Sequence, residues 1–281
     1  MAANYEGICR LCKKPKSLCE SHVISKFFYR MQKENSATGK MRDINNPKIR
    51  LQDGLKPRLM CQECENRIGK LETSFRPIYA EIFSSREIKP TIFPDSAYKF
   101  LISLAWRLLI HTIEFDEKLN YFDYEIGIMK YKEEQFREYL TDSIDTLSNE
   151  VHIVPIMEPF IKDARILSFG TYSIGADIQA YARDMIAYIN VPYLLFAVYI
   201  RHNSQDEWMN TRICEEGSAV WGGYIEIPKC VTEYCIHREA IKYKNLSPET
   251  EKKIRELANS KEVMDKVQTL PYYDVKRRID K

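Results

Sequence analysis

Residues 9–24 read CRLCKKPKSLCESHVI, and residues 61–66 read CQECEN. Each segment contains a Cys-x-x-Cys pair, and two intervening residues let one tight turn present both thiolates to a single tetrahedral ion at about 2.3 Å. Two such pairs complete a zinc shell, whereas four cysteines of this spacing would be unusual as free buried thiols. The predicted ligands of a structural Zn²⁺ are Cys9, Cys12, Cys61 and Cys64.

Two further residues, Cys19 and His22, lie between the pairs and compete as ligands. Together with the first pair they would form a compact site and leave the second pair without a metal. The 48 residues between Cys12 and Cys61 are far more than a minimal finger needs, so this interval should contain its own substructure. A second metal group of less usual spacing also stays open, formed by Cys214, Cys230, Cys235 and His237.

The residues Glu20-Ser21-His22-Val23-Ile24, followed by the second cysteine pair and a polar helix, resemble the His-Asn-His (HNH, ββα-metal) endonucleases built on a treble-clef zinc finger. The resemblance covers roughly residues 1–75. It implies that zinc is structural, that a histidine is the general base, and that a separate Mg²⁺ or Mn²⁺ is catalytic. The site residues it implies are His22 as the base, Glu65 or Asn66 at the catalytic metal, and Glu20 as a further carboxylate.

The chain also departs from the family pattern. The family places an acidic residue directly before the histidine, where this chain has Ser21. It usually has an Asn shortly before the second cysteine pair, but residues 56–60 contain none. Either the metal shell is rebuilt from carboxylates, or the site has lost catalysis and kept the finger. The nearest substitutes are Asp53, Asn45 and Asn46, with Glu72 as another carboxylate.

Positive charge is concentrated in residues 1–89, which carry 18 Lys and Arg against 10 Asp and Glu. Residues 90–281 carry 24 against 30. A local positive excess attracts nucleic acid through counterion release, so we expect a nucleic-acid partner, with DNA favoured over RNA. The candidate contacts are Lys13, Lys14, Lys16, Lys26, Arg30, Arg67 and Lys70.

The composition is that of a globular protein, with 44% hydrophobic and 29% charged residues. The N-terminus lacks a basic segment followed by an apolar run, so we expect an intracellular, cytoplasmic protein. Eight cysteines in such a compartment favour metal binding over disulfides. The most apolar stretch, Met185 to Ile200, is interrupted by Asn190 and Pro192 and is short for a membrane span. We therefore expect no membrane partner.

The elements predict an α+β fold: an N-terminal zinc-bound treble-clef or ββα module followed by a larger mixed domain. Helices are expected near residues 25–31, 61–83, 100–113, 132–147 and 248–259, and strands near 48–52, 152–157, 166–174, 193–201 and 219–227. Pro77 should kink or restart its helix, and Arg107 should be a solvated charge. The predicted divisions are residues 1–89, an HNH-like zinc module; 90–245, an α+β domain; and 246–281, a charged helical tail with Lys276, Arg277 and Arg278.

Three functions are open from these observations. The first is metal-dependent hydrolysis of nucleic-acid phosphodiesters, in an organisation that resembles bacterial defence or mobile-element effectors. The second is a non-catalytic zinc-stabilised module that binds nucleic acid or protein. The third makes residues 95–235 a sensor, with the zinc module as an effector or a dimerisation element, so that a homodimer is a possible assembly.

Overall fold

The computed structural model is mixed α+β, as the sequence predicts. We keep the predicted divisions as names, zinc module for residues 1–89, after its predicted metal, and second unit for residues 90–245. The structure describes residues 5–34, 36, 39, 41–43, 49–85, 87, 89–116, 120–205, 207–244, 247–258 and 260–261.

The zinc module contains a three-stranded antiparallel sheet in the order β1-β2-β5. Strand β5 pairs Cys61 with Leu18 of β2 and then passes directly into helix α2. This places the second cysteine pair at the junction of a strand and a helix. The elements are β1 (Glu6–Ile8), β2 (Pro15–Glu20), α1 (Lys26–Glu34), β3 (Met41–Arg42), β4 (Arg50–Leu51), β5 (Arg58–Cys61) and α2 (Gln62–Ser85).

Helix α2 runs through Pro77 as one helix, so it does not restart there, and the predicted kink stays a prediction. Proline removes one backbone hydrogen bond from a helix interior and crowds the preceding turn. Phe75, Tyr79 and Ile82 are buried on either side of it. Packing of this apolar face therefore compensates for the lost hydrogen bond and keeps the helix continuous.

The second unit is organised around a four-stranded antiparallel sheet in the order β7-β10-β9-β8. Strands β9 and β10 form a hairpin and account for the apolar stretch from residue 185 to 200. The elements from residue 91 onward are β6 (Thr91–Phe93), α3 (Asp95–Phe115), α4 (Asp123–Leu140), β7 (Val151–Pro155), α5 (Ala164–Tyr172), β8 (Gly175–Ala180), β9 (Met185–Val191), β10 (Leu194–Arg201), β11 (Ser218–Val220), α6 (Lys229–Lys244) and α7 (Pro248–Ala258).

Both faces of this sheet are buried. Successive side chains of a strand point to opposite faces, and Phe196 and Val198 belong to the core that contains α3, while Leu195 and Tyr199 belong to a second cluster beneath α5 and α6. Double-sided burial explains why the central strands β9 and β10 are almost wholly apolar. Across the part of the chain that the structure describes, no helix has the length and apolar character needed to cross a bilayer.

The strand predicted at residues 166–174 is wrong, because these residues form most of helix α5. A short apolar run does not by itself distinguish a buried strand from a buried helix. Asp163 caps the helix by accepting a hydrogen bond from the Arg165 backbone N–H at 2.9 Å. Gly170 lets the helix approach Ile156 closely, since a Cβ at residue 170 would lie 2.0 Å from the Ile156 Cγ2.

This contact leads to a stability prediction. Gly170→Ala should lower the free energy of unfolding by about 1–3 kcal/mol, because the added methyl overpacks the α5 contact. The matched control is Gly127→Ala in α4, where a Cβ would meet no atom within 4 Å. There the better helix propensity of alanine should stabilise by up to about 1 kcal/mol. Chemical denaturation of both variants measures the difference, and equal stabilities would contradict the close approach.

The zinc module and the second unit share one hydrophobic core. Phe75 of α2 lies 4.6 Å from Phe100 of α3 and 5.8 Å from Phe196 of β10, measured between ring centroids. Phe28 of α1 contacts the same group of rings. The division at residue 90 stays a prediction about independent folding, but α3 packs directly on the module that carries the cysteines.

Candidate metal centre and histidine site

The structure brings the four predicted cysteines together. Cys9 and Cys12 lie in the turn between β1 and β2, Cys61 ends β5, and Cys64 lies in the first turn of α2. Their sulfur atoms all lie within 4.8 Å of one another. Three of them are buried and Cys12 is half-buried. The sequence spacing thus becomes a closed group of four thiols with little access for solvent.

This group can bind a metal and fits a structural zinc. A tetrahedral zinc with bonds of about 2.3 Å separates its sulfur ligands by about 3.8 Å, which lies within the 4.8 Å limit that all four sulfurs satisfy. The Cys61 backbone N–H donates to the Cys9 Sγ at 3.3 Å, so the chain already stabilises negative charge on that sulfur. Burial and the neighbouring thiols raise the pKa of Cys64. A divalent cation would offset this crowding of thiolates.

The competing inner ligand set does not form. The Cys19 thiol donates to Gln62 Oε1 at 3.5 Å, and the His22 imidazole contacts Asp53. Cys230 and Cys235 lie on α6, where the Tyr188 hydroxyl donates to the Cys230 sulfur at 3.8 Å. Among the described residues, one group of three or more Cys, His, Asp or Glu side chains converges closely enough to hold a metal. It consists of the four cysteines predicted first as ligands.

His22 lies two residues after the end of β2 and is held by a carboxylate. Its Nε2 lies 3.2 Å from Asp53 Oδ2, and both side chains are less than one-fifth exposed. Asp53 Oδ1 lies 3.4 Å from the Lys56 ammonium. Partial burial acts to raise the pKa of Asp53, but the hydrogen bond to His22 and the charge of Lys56 hold it below its usual range. Asp53 is therefore an anionic partner for the imidazole.

Asp53 is one of the residues named from the sequence as a substitute for the missing asparagine. The other two, Asn45 and Asn46, lie outside the described residues. The loop that carries Asp53 is tied to the strand end by two backbone hydrogen bonds. Ser21 N–H donates to Pro57 O at 2.9 Å, and Val23 N–H donates to Leu55 O at 3.0 Å.

A second carboxylate reaches the same strand end from α2. The buried Ser21 hydroxyl donates a hydrogen bond to Glu65 Oε1. Burial raises the pKa of Glu65, although the Ser21 hydrogen bond opposes that rise. Glu65 thus brings a carboxylate from α2 into contact with residue 21. Asn66 is exposed beside it and accepts a hydrogen bond from Gln62 Nε2 at 2.9 Å.

An open groove of about 670 Å³ runs along this face of α2. Glu65 and Asn66 lie at its start and Lys70 lies one turn further on. Gly69 faces open space in the groove, since no atom lies within 4 Å of a Cβ placed there. The lining residues are Gln62, Glu65, Asn66, Gly69, Lys70 and Thr73.

The other two candidate carboxylates are engaged elsewhere. Glu20 is exposed and forms ion pairs with Lys56 at 3.6 Å and Arg58 at 3.9 Å. Glu72 accepts from the Ser25 hydroxyl at 2.6 Å and from the Arg107 guanidinium at 3.1 Å. Of the nominated carboxylates, Glu65 and Asp53 are therefore the two that contact residues 21 and 22.

Arg107 was expected to be solvated, and that expectation is wrong, because its side chain is only 2% exposed. Its guanidinium donates to the backbone carbonyl of His22 at 2.7 Å. Helix α3 is buried on nearly all sides, including Trp106 and Leu108 next to Arg107. An arginine in a helix that is apolar all round has to be paired inside the protein, and this signal was present in the sequence.

Several predicted nucleic-acid contacts form ion pairs within the chain. Arg67 pairs with Asp142 at 3.0 Å, and Lys13 lies 4.0 Å from Glu133 and from Glu134. These pairs join the basic zinc module to the acidic second unit. Part of the opposite net charge of the two regions is therefore used in contacts within the chain. Lys16 pairs with Glu63 and Arg30 with Glu34. The remaining three candidates are exposed, namely Lys14, Lys26 and Lys70.

Comparison with known proteins adds no family to this description. No protein-family model matches the chain, and no curated protein or solved structure compared with it is a match. Functional inference therefore depends on the geometry of residues 9–73 and on the chemistry of their side chains.

Proposed function

We propose that the chain hydrolyses nucleic-acid phosphodiesters in a metal-dependent reaction at an HNH-like site, with DNA favoured over RNA. The observation that carries the proposal is His22, two residues after the end of β2 and held by Asp53, in a module whose helix α2 begins at the cysteine cluster. The chain order β2, β5, α2, with α1, β3 and β4 between the two strands, supports a ββα-like arrangement within this proposal. An organisation like that of defence or mobile-element effectors is part of the same proposal.

His22 is the general base in this proposal. When Nε2–H donates to Asp53, Nδ1 is the acceptor nitrogen of the neutral imidazole, and it takes the proton from the attacking water. Asp53 orients the ring and stabilises the imidazolium that forms. A positioned base of this kind contributes about 10²- to 10⁴-fold to a rate.

Glu65 and Asn66 would hold the catalytic Mg²⁺ or Mn²⁺, because hard divalent cations prefer carboxylate and amide oxygens. When bound, such an ion stabilises charge on the phosphate and on the leaving oxygen. The four cysteines close the zinc shell, so zinc is assigned to the frame alone. Lys70, which lines the groove, supplies positive charge for the phosphate backbone.

The test is cleavage of supercoiled plasmid and of RNA by the full chain. Each substrate is incubated in three separate arms: without added divalent ion, with Mg²⁺ and with Mn²⁺. We expect cleavage that requires added Mg²⁺ or Mn²⁺ while bound zinc stays constant. Bound zinc is measured in every arm. A chelator is not used to remove the catalytic ion, because it would also remove the structural zinc. Cleavage that proceeds equally without an added divalent ion would contradict the metal-dependent mechanism.

A second candidate function is a non-catalytic zinc module that binds nucleic acid or protein. It is favoured by the engagement of Glu20 and Glu72 in ion pairs, and by the absence of a second convergent ligand group among the residues that the structure describes. The same assay separates the two candidates. Gel-shift binding by a zinc-loaded protein that cleaves neither substrate with either ion would favour the binding module.

A further inference from the structure

The backbone of His22 is held by a side chain from the second unit. Arg107 of α3 donates from Nη1 to His22 O at 2.7 Å and to Glu72 Oε1 at 3.1 Å. Its Nη2 donates to Ser25 Oγ at 3.3 Å, and its Nε donates to Ser103 O at 3.2 Å. One buried guanidinium therefore joins the loop after β2, the start of α1, helix α2 and helix α3.

Stability alone is a weak explanation for this arrangement. Taking a guanidinium and a carboxylate out of water costs several kcal/mol per ion, and well-packed apolar residues often serve as well or better. What an apolar residue cannot supply is a donor for the His22 carbonyl. The planar fork of arginine fixes the directions of several hydrogen bonds at once, so it sets where residue 22 lies relative to Glu72 and Ser25.

His22 is consequently fixed at two points. Asp53, in the loop before β5, contacts the imidazole of His22. Arg107, in helix α3, contacts the backbone carbonyl of His22. A ring held only by Asp53 could still move with its backbone. Misplacement of a reacting group by about 1 Å can cost about 10²-fold in rate, so the second anchor has a functional consequence.

We propose that Arg107 is a positioning residue for His22, and that the second unit completes the hydrolytic site of the zinc module. The inference rests on the proposed function. It predicts that a lesion in α3 impairs the chemical step although α3 contributes no group that touches substrate.

The experiment compares Arg107→Lys and Arg107→Met with Arg10→Met in the full chain. Arg10 is the matched control, because it also joins the zinc module to α3, through Glu114 at 2.8 Å, but does not contact His22. Lysine keeps the charge of Arg107 and loses the fork. The readouts are kcat, KM, the pH profile of kcat, bound zinc and the imidazole NMR signals of His22.

We expect both Arg107 variants to keep zinc and KM, to lose about 10- to 10²-fold in kcat, and to shift the His22 signals and the pH profile. The lysine variant should be the less impaired, and Arg10→Met should match wild type. A folded, zinc-loaded Arg107→Lys with wild-type kcat, pH profile and His22 signals would overturn the inference. If neither Arg107 variant folds, Glu72→Gln is the deciding variant, because it neutralises the carboxylate that pairs with Arg107. Unchanged kcat and unchanged His22 signals in Glu72→Gln would also overturn the inference.

Failure of the proposed function gives a different result. A wild-type chain that cleaves nothing removes the hydrolytic assignment, and the NMR comparison then decides the positioning contact alone. Shifted His22 signals in Arg107→Lys but not in Arg10→Met would support the contact, and identical signals in the two variants would overturn it.

Discussion

Replacing Cys61 with serine should remove zinc and unfold residues 1–89. A structural zinc contributes about 10–16 kcal/mol of apparent binding free energy in small zinc-finger peptides, and where no site exists in the unfolded chain this is folding free energy. Cys61 connects β5 to α2, and its N–H donates to the Cys9 sulfur. Loss of this ligand therefore disrupts both cysteine pairs. Zinc analysis and hydrogen exchange measure the two effects.

The shared core extends the expected consequence beyond the zinc module. Phe75 contacts Phe100 and Phe196, so disorder in α2 should also lower the melting temperature of the second unit. Cys19→Ser is the matched control, because Cys19 lies close in sequence to the ligand Cys12 but outside the ligand group. It should keep about one zinc per chain. Zinc-free wild-type protein with an intact fold would contradict the structural role of the metal.

His22→Ala should abolish most hydrolysis and leave the frame intact. We expect a loss of about 10²- to 10⁴-fold in rate, the usual contribution of a positioned general base. Zinc should stay bound, because four cysteines already fill the shell and His22 contacts Asp53 instead. The measurements are plasmid cleavage with Mg²⁺ and Mn²⁺, zinc per chain and thermal unfolding.

His237→Ala is the control for this substitution, since His237 is exposed on α6 and far along the chain from the cysteine cluster. It should behave like wild type in all three measurements. If His22→Ala lost as much zinc as Cys61→Ser, residue 22 would be a ligand, and the general-base assignment would lose its central residue.

Patterns over a few neighbouring residues predicted several helices and strands correctly. The helices that begin near residues 26, 62 and 248 and the strands near residues 151 and 194 follow from apolar periodicity and from capping and turn residues. Residues 166–174 were predicted as a strand because a short apolar run fits either conformation. The close packing of Gly170 against Ile156, which accompanies the helical conformation, involves residues that are not neighbours in sequence.

The candidate site divides in the same way. Two residues between cysteines are a local geometric constraint, so the sequence by itself determined the two cysteine pairs and favoured their convergence, whereas only the fold excluded Cys19 and His22 from the group. The partners of residues 21 and 22 depended on tertiary structure. Asp53 lies 31 residues from His22, Glu65 lies 44 from Ser21, and Arg107 lies 85 from His22. Loop closure and helix packing decide such contacts, and no local spacing rule encodes them. The charge asymmetry likewise suggested an external polyanion, whereas the fold pairs Arg67 and Lys13 with acidic residues of its own second unit.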